Sequence, residues 1–218
     1  MPALLRPTAP IAADAILVGD PGRALMLAQE LLEAPKMSNH ARGLWGYTGR
    51  TAAGHELSLQ ATGIGGPSAA LVLADLAGLG VRRAVRVGTC TGLAPEVEPA
   101  ELLLVEEAHA WGGPGARQGE AVLPDRALTA ALRAELGQAR GVAVASLDTI
   151  HVGEGGDAPA GADAADMQTA ALFGGAESLG VAVAALLVVT ETPAGGRIDE
   201  LRSEPAVKRA GAAAAAVL

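Results

Sequence analysis

Two segments of this 218-residue sequence combine glycine, arginine and a hydroxyl in a way that suits an oxyanion. In AILVGDPGRALMLAQELL an apolar run breaks at Gly19, turns through Pro21 and resumes as a helical pattern carrying Arg23. Glycine lets a ligand approach the backbone, proline suits the first turn of a helix, and the amides at a helix start are free to bind an anion. Arg23 adds a planar fork of donors. In RRAVRVGTCTG, Arg86 sits inside an apolar strand pattern, with Gly88 and Thr89 at its C-terminal end. A buried arginine demands a counter-charge, either an oxyanion ligand or a structural carboxylate. The plainer alternative for the first segment is a βα turn with a solvated Arg23. Two glycine–arginine strand ends in one chain favour the ligand.

Strands must carry these residues to a common edge. The apolar runs predict strands over Asp14–Val18, Gly43–Thr51, Glu56–Thr62, Arg83–Gly88, Glu101–Glu107, Gly141–Leu147 and Gly180–Thr190. Helical patterns cover Pro21–Glu33, Pro67–Leu79, Asp125–Leu136, Asp166–Leu179 and Glu204–Leu218. This alternation implies an α/β fold: three α/β/α layers around a mixed, largely parallel, twisted central sheet. RGLWGYTGRTAAGHELSLQ reads as a hairpin, and Gly112–Gln118 and Gly153–Ala165 read as mobile loops. No repeat or linker divides the chain, so residues 1–218 are expected to form one domain.

Half of the residues are hydrophobic and only 2% aromatic, so Ala, Val, Leu and Gly do the packing. The formal net charge of −8 argues against nucleic acid or a membrane surface as a main partner. One cysteine, Cys90, rules out an internal disulfide and the usual zinc cages, and reads as a small packing residue. Neither a leader pattern nor an apolar run of membrane-spanning length is evident, which makes a cytoplasmic location the expectation. Trp45, Tyr47 and Trp111 suit subunit-interface packing as well as ligand stacking.

VGDPGR, ATGIGGPSAA, RVGTCTG and DMQTAALF occur in the order and approximate spacing of the hexameric purine and uridine phosphorylases, and the sequence resembles that family from about Asp14 to the last helix. The resemblance implies phosphate-dependent cleavage of a nucleoside to free base and pentose 1-phosphate, with phosphate as co-substrate and no cofactor or metal. It implies a phosphate site of Gly19, Arg23, Arg86 and Thr89, with Arg42 lent to a neighbouring subunit. A dimer is then the minimal unit of a homo-oligomer, with a hexamer as the expected assembly. By the same likeness Asp166, Met167 and Gln168 hold the sugar, Ile64 packs against it, Glu191 meets the leaving base, and His151 reaches the substrate.

The chain departs from the family at the groups that would name its nucleoside. Asp-Met-Gln replaces the usual Glu-Met-Glu, so Gln168 offers no negative charge to a developing cation. Losing a charge-assisted hydrogen bond costs on the order of 1–3 kcal/mol. Glu191 stands where the purine branch has an aspartate, and a carboxylic acid there can protonate or hydrogen-bond the base. Arg197 or Arg202 can modulate it. Glu154 and Gly156 replace the uridine branch's Gln and Arg, and Ile150 and His151 stand where aromatics are common. No histidine precedes His40, so the family's contact to the 5′-hydroxyl is missing. Two alternatives stay open: a weakened nucleoside- or phosphate-binding member of the fold, and a hydrolytic nucleosidase.

Overall fold

A computed structural model of the chain describes residues 4–111, 121–148 and 161–218. Strand β1 (Asp14–Val18) leads through a tight turn into helix α1 (Pro21–Leu31). Next come β2 (Glu33–Asn39), a 3₁₀ turn at Ala41–Gly43, β3 (Gly46–Arg50) and β4 (Glu56–Ala61). Helix α2 (Gly65–Gly78) precedes β5 (Arg83–Gly92), β6 (Leu102–Trp111) and β7 (Ala121–Val122). The remainder is α3 (Arg126–Leu136), β8 (Arg140–Leu147), β9 (Ala164–Asp166), α4 (Thr169–Leu179), β10 (Ala182–Thr192), β11 (Gly196–Arg197) and α5 (Glu200–Val217).

The α/β layering follows from strict two-residue alternation in the central strands. In β1, Ala15 and Leu17 face one core while Ile16 and Val18 face the other. In β10, Val183, Ala185, Leu187 and Val189 join the first core, and Ala184, Leu186 and Val188 the second. Successive side chains of a strand point to opposite faces, so such apolar runs need a helical layer on each side. α2 and α4 cover the first face with Val72, Leu73, Leu76, Leu172 and Phe173. α1, α3 and α5 cover the second with Leu27, Leu132, Val207 and Ala210. Among the sparse aromatics, Tyr47 belongs to the second core, Trp111 packs on a small cluster with Leu147, and Trp45 is exposed.

The eleven strands among the described residues belong to one mixed sheet. β4, β1, β5 and β10 run parallel side by side, as do β6 and β8, whereas β3 with β4, β2 with β3 and β10 with β6 are antiparallel. The expected hairpin is β3–β4. The mixed, twisted sheet also closes on itself in part. β9 pairs parallel with β8 and antiparallel with β5, so β5, β10, β6, β8 and β9 close into a ring.

Several expected boundaries shift. α1 ends at Leu31 and, after its C-cap Leu32, the seven residues Glu33–Asn39 form β2, an edge strand whose Ala34 adopts φ 45°. Ala164 and Ala165, read as loop, belong to β9, and α4 begins at Thr169, after the Asp-Met-Gln segment. α5 begins at Glu200, capped by Asp199, whose side chain accepts from the Arg202 amide. The expected loop Gly112–Gln118 lies outside the described residues, as does Gly153–Ala165 up to residue 160.

Candidate active site

The C-terminal ends of β1 and β5, adjacent and parallel, meet the start of α4, as expected of ligand sites in open α/β sheets. Gly19 leaves β1 beside β4's exit: a methyl on its α-carbon would lie 3.6 Å from Gly63 O and 3.8 Å from Gln168 Oε1. Asp20 caps α1, accepting the Arg23 amide at 2.9 Å. This corrects one expectation, because the cap already uses an amide that a free helix start would offer to an anion. The Arg23 guanidinium extends to Thr89 Oγ1 at 3.4 Å and joins the two strand ends.

Arg86 lies on the α4 side of β5, its side chain only 5% exposed. Of the two partners weighed from sequence, the structural carboxylate is present: Nη2 donates to Asp166 Oδ2 at 3.0 Å, and that side chain is fully buried. Nε donates to Thr169 Oγ1 at 3.2 Å and Nη1 to Gln168 Oε1 at 2.5 Å. A guanidinium has five N–H groups, so two remain beyond these three bonds. Gly88 gives the group its place, since a β-carbon there would fall 2.6 Å from Arg86 Nη2 and 2.7 Å from Cζ.

Asp166 is held in turn. Its Oδ1 accepts from Ser146 Oγ and its Oδ2 from the Thr169 hydroxyl, both at 2.5 Å. It also accepts the Thr169 amide at 3.1 Å, so it caps α4 from two residues upstream of the formal N-cap, Gln168, which gives no side-chain cap of its own. Cys90 lies behind this cluster with Sγ 3.8 Å from Val188 O. Burial, and then the Asp166 charge, push its thiol well above the usual range, with Arg86 only partly opposing them. That fits the packing role.

Other expected site residues are placed less centrally. Met167 lines a cleft of about 270 Å³ with Gly66, Pro67, Ala70 and Ser146. Ile64 precedes α2 between Gly63 (φ 75°) and Gly65 (φ 82°) and is 83% exposed. Arg42 occupies the exposed 3₁₀ turn at φ 59°, a left-handed conformation uncommon for a residue with a side chain. Asn39 and Gln60 fix that turn by donating their amides to Leu44 O. Among the described residues the Arg42 side chain makes no hydrogen bond or ion pair with the Arg86 cluster. Glu191 is half-buried near the end of β10, opposite Thr91 of β5 and Arg197 of β11, which places Arg197 rather than Arg202 across the strand from it. His151 lies outside the described residues, as do Ile150, Glu154 and Gly156.

Sequence reasoning did not single out Thr62, Ser146 or Thr169. Thr169 follows Asp166 at helix-start spacing, and a search for hydroxyls near a buried Arg–Asp pair would have found it. Thr62 and Ser146 carry no such local signal. Among the described residues, no group of three or more His, Cys, Asp and Glu could hold a metal ion, and no helix is long and apolar enough to cross a membrane.

A layered mixed sheet with glycine, arginine and threonine at the adjacent ends of β1 and β5 defines an α/β protein with polar groups gathered at its strand ends. Residues 14–218 match the model of the phosphorylase superfamily, and the chain belongs to that family. It is similar to the DeoD-type purine nucleoside phosphorylase of Oceanobacillus iheyensis, 39% identical over 99 residues that span 45% of this chain and 42% of that relative. A DeoD-type relative in Limosilactobacillus reuteri is 41% identical over 96 residues, 43% of this chain and 40% of its own. These matches span less than half of either relative's length. The fold matches purine nucleoside phosphorylase of Toxoplasma gondii in complex with immucillin-H, with TM-score 0.83 and 21% identity, over 94% of this chain and 91% of that one. Uridine phosphorylase of Vibrio fischeri matches equally well, with TM-score 0.83 and 21% identity, over 95% and 91% of the two chains.

Proposed function

We propose that this chain is a nucleoside phosphorylase that cleaves a purine-like nucleoside with inorganic phosphate, yielding free base and pentose 1-phosphate. The observation that supports the reading is the Arg23–Thr89 contact between the adjacent ends of β1 and β5, with Arg86 three residues earlier in β5 and two of its guanidinium N–H groups beyond its three bonds. The similarity to DeoD-type purine nucleoside phosphorylases over nearly half the chain supports the purine assignment.

In this reading Gly19, Arg23, Arg86 and Thr89 hold phosphate against the sugar, and the exposed Arg42 completes the site of a neighbouring copy. A phosphate oxygen bonds to C1′ as the C1′–N bond breaks. The electron pair leaves on the base nitrogen, and Glu191 supplies a proton or a hydrogen bond to it. Asp166, Met167, Gln168 and Ile64 border the sugar, and His151 the base. Such a reaction needs positioning and electrostatic stabilisation rather than a covalent intermediate, and no cofactor or metal enters it. One domain over residues 1–218, a cytoplasmic location, and assembly of dimers into a hexamer complete the proposal.

A specific observation supports a second reading, a weakened binding member of the fold: Gln168 is engaged on all sides within the chain. One experiment separates the two. Base release from a nucleoside panel, followed with and without phosphate, is expected to require phosphate. Equal release without phosphate points to a hydrolase, and no release with retained phosphate binding points to the second reading.

A further inference from the structure

Arg42 is exposed at φ 59° and ψ 19°, and Gly43 follows it at φ 70°. Two successive residues of positive φ are uncommon, and the one that carries a β-carbon is strained there. Such a backbone persists only where its surroundings impose it. Two buried amides do so. Asn39, fully buried at the end of β2, donates Nδ2 to Leu44 O and reaches Ala41 O at 3.4 Å. One side chain thus grips carbonyls on both sides of Arg42 and Gly43. Its Oδ1 accepts the Arg6 amide at 2.8 Å, which fixes the orientation of the group. Gln60 on β4 adds a second hold, donating Nε2 to Leu44 O and to Ala61 O, both at 2.9 Å.

The turn is pinned from the core as well. Leu44 is buried in the first core, and its Cδ2 lies 3.1 Å from where a β-carbon on Gly63 would sit. Above this platform, among the described residues, the Arg42 guanidinium forms no ion pair, unlike those of Arg50, Arg83, Arg86, Arg133 and Arg140. An arginine that only meets solvent is served as well by an ordinary turn, with neither strain nor buried amides beneath it. A residue that acts across an interface has no partner in its own chain to aim it, so its backbone must do the aiming.

We propose that Asn39, supported by Gln60, is a positioning residue that locks the Arg42 turn and presents its guanidinium to phosphate in one direction. The inference rests on the reading in which Arg42 completes the phosphate site of a neighbouring copy. Asn39 then governs phosphate capture without touching phosphate, and has no part in holding the sugar or the base.

The test is a double-mutant cycle of Asn39→Ala and Arg42→Ala, read as initial rates with phosphate and a purine nucleoside varied in turn. R42A is expected to raise the KM for phosphate about ten-fold, the loss of one charge-assisted contact. N39A is expected to raise it about three- to ten-fold while the KM for the nucleoside stays within about two-fold. The double variant is expected to match R42A, because residues that act through one another are not additive. Losses that multiply, or a wild-type KM for phosphate in N39A, overturn the lock and leave Asn39 a stabiliser of the fold. A wild-type KM in R42A overturns it too, and leaves phosphorolysis standing. If wild-type protein releases no base with phosphate, the functional reading fails instead, and the same cycle read as phosphate binding by calorimetry decides. Weaker binding in each single variant with no further loss in the pair supports the lock; any other pattern, absence of binding included, overturns it. Should N39A not fold, Gly43→Ala carries the test: nothing lies within 4 Å of an added β-carbon, so alanine at φ 70° strains the turn alone. G43A is expected to raise the KM for phosphate, with no further rise when combined with R42A, and an unchanged KM overturns the lock.

Discussion

Replacing Asp166 with asparagine probes the pocket through its internal counter-charge. The Asp166 side chain is fully buried and is the carboxylate paired with Arg86, so D166N leaves a cation in the interior with neutral partners only. Asparagine also keeps one acceptor oxygen where aspartate has two, yet the Ser146 hydroxyl, the Thr169 hydroxyl, the Thr169 amide and Arg86 all donate there. Removing one partner of a buried ion pair costs about 3–5 kcal/mol. At roughly 2–4 °C per kcal/mol for a chain of this size, Tm is expected to fall by roughly 6–20 °C in phosphate-free buffer. If the two remaining Arg86 N–H groups face an anion site, phosphate is the natural replacement charge, and adding it should raise the Tm of D166N more than that of wild type. Calorimetric scans of both proteins in phosphate-free and phosphate-containing buffers give the comparison. A Tm loss equivalent to less than about 1 kcal/mol, or equal stabilisation by phosphate, would refute the argument that Asp166 and a ligand share Arg86.

Three further expectations follow from particular contacts. Gly88→Ala puts a methyl within 2.6–2.8 Å of Arg86 Nη2, Arg86 Cζ and Leu187 Cδ2, and overpacking of this kind costs about 1–3 kcal/mol; urea unfolding should show that loss, together with weaker phosphate binding. The Cys90 thiol, pushed up by burial and the Asp166 charge, should resist disulfide-exchange reagents in the native protein near pH 8 and react in full once the chain is unfolded. Glu191→Gln removes the proposed proton donor, so kcat for a poor leaving base should fall about 10²–10⁴-fold, and kcat should change little for a nucleoside whose base leaves as a stable anion.

Much of the frame was legible because the decisive strands are apolar runs buried on both faces. β1 begins and ends where its sequence pattern does, β5 runs four residues further than expected, and β10 is shifted by two. What escaped detection depends on partners distant in sequence. β2 carries Pro35 and Lys36 and lacks alternation; it is a strand because β3 lies beside it. β9 is three residues inside an Ala/Gly/Asp-rich stretch, and pairing with both β5 and β8 makes it part of the ring.

The site follows the same logic. Arg86 in an apolar strand announced that a counter-charge must exist, but the choice between carboxylate and ligand could not be made along the chain. Asp166 is 80 residues away and reaches Arg86 through the folding of β9 against β5. The Gln168 substitution was visible as a lost charge. Its donor end became meaningful only when Gly63 and Gly65 brought their carbonyls to it.

Product identity tests the central claim most directly. Incubating the chain with a purine nucleoside and phosphate, and following the phosphorus resonances, should show inorganic phosphate converted to a pentose 1-phosphate in step with base release. Base released beside free pentose, with the phosphate signal unchanged, would contradict the account and turn the pocket around Arg23, Arg86 and Thr89 into a hydrolase site.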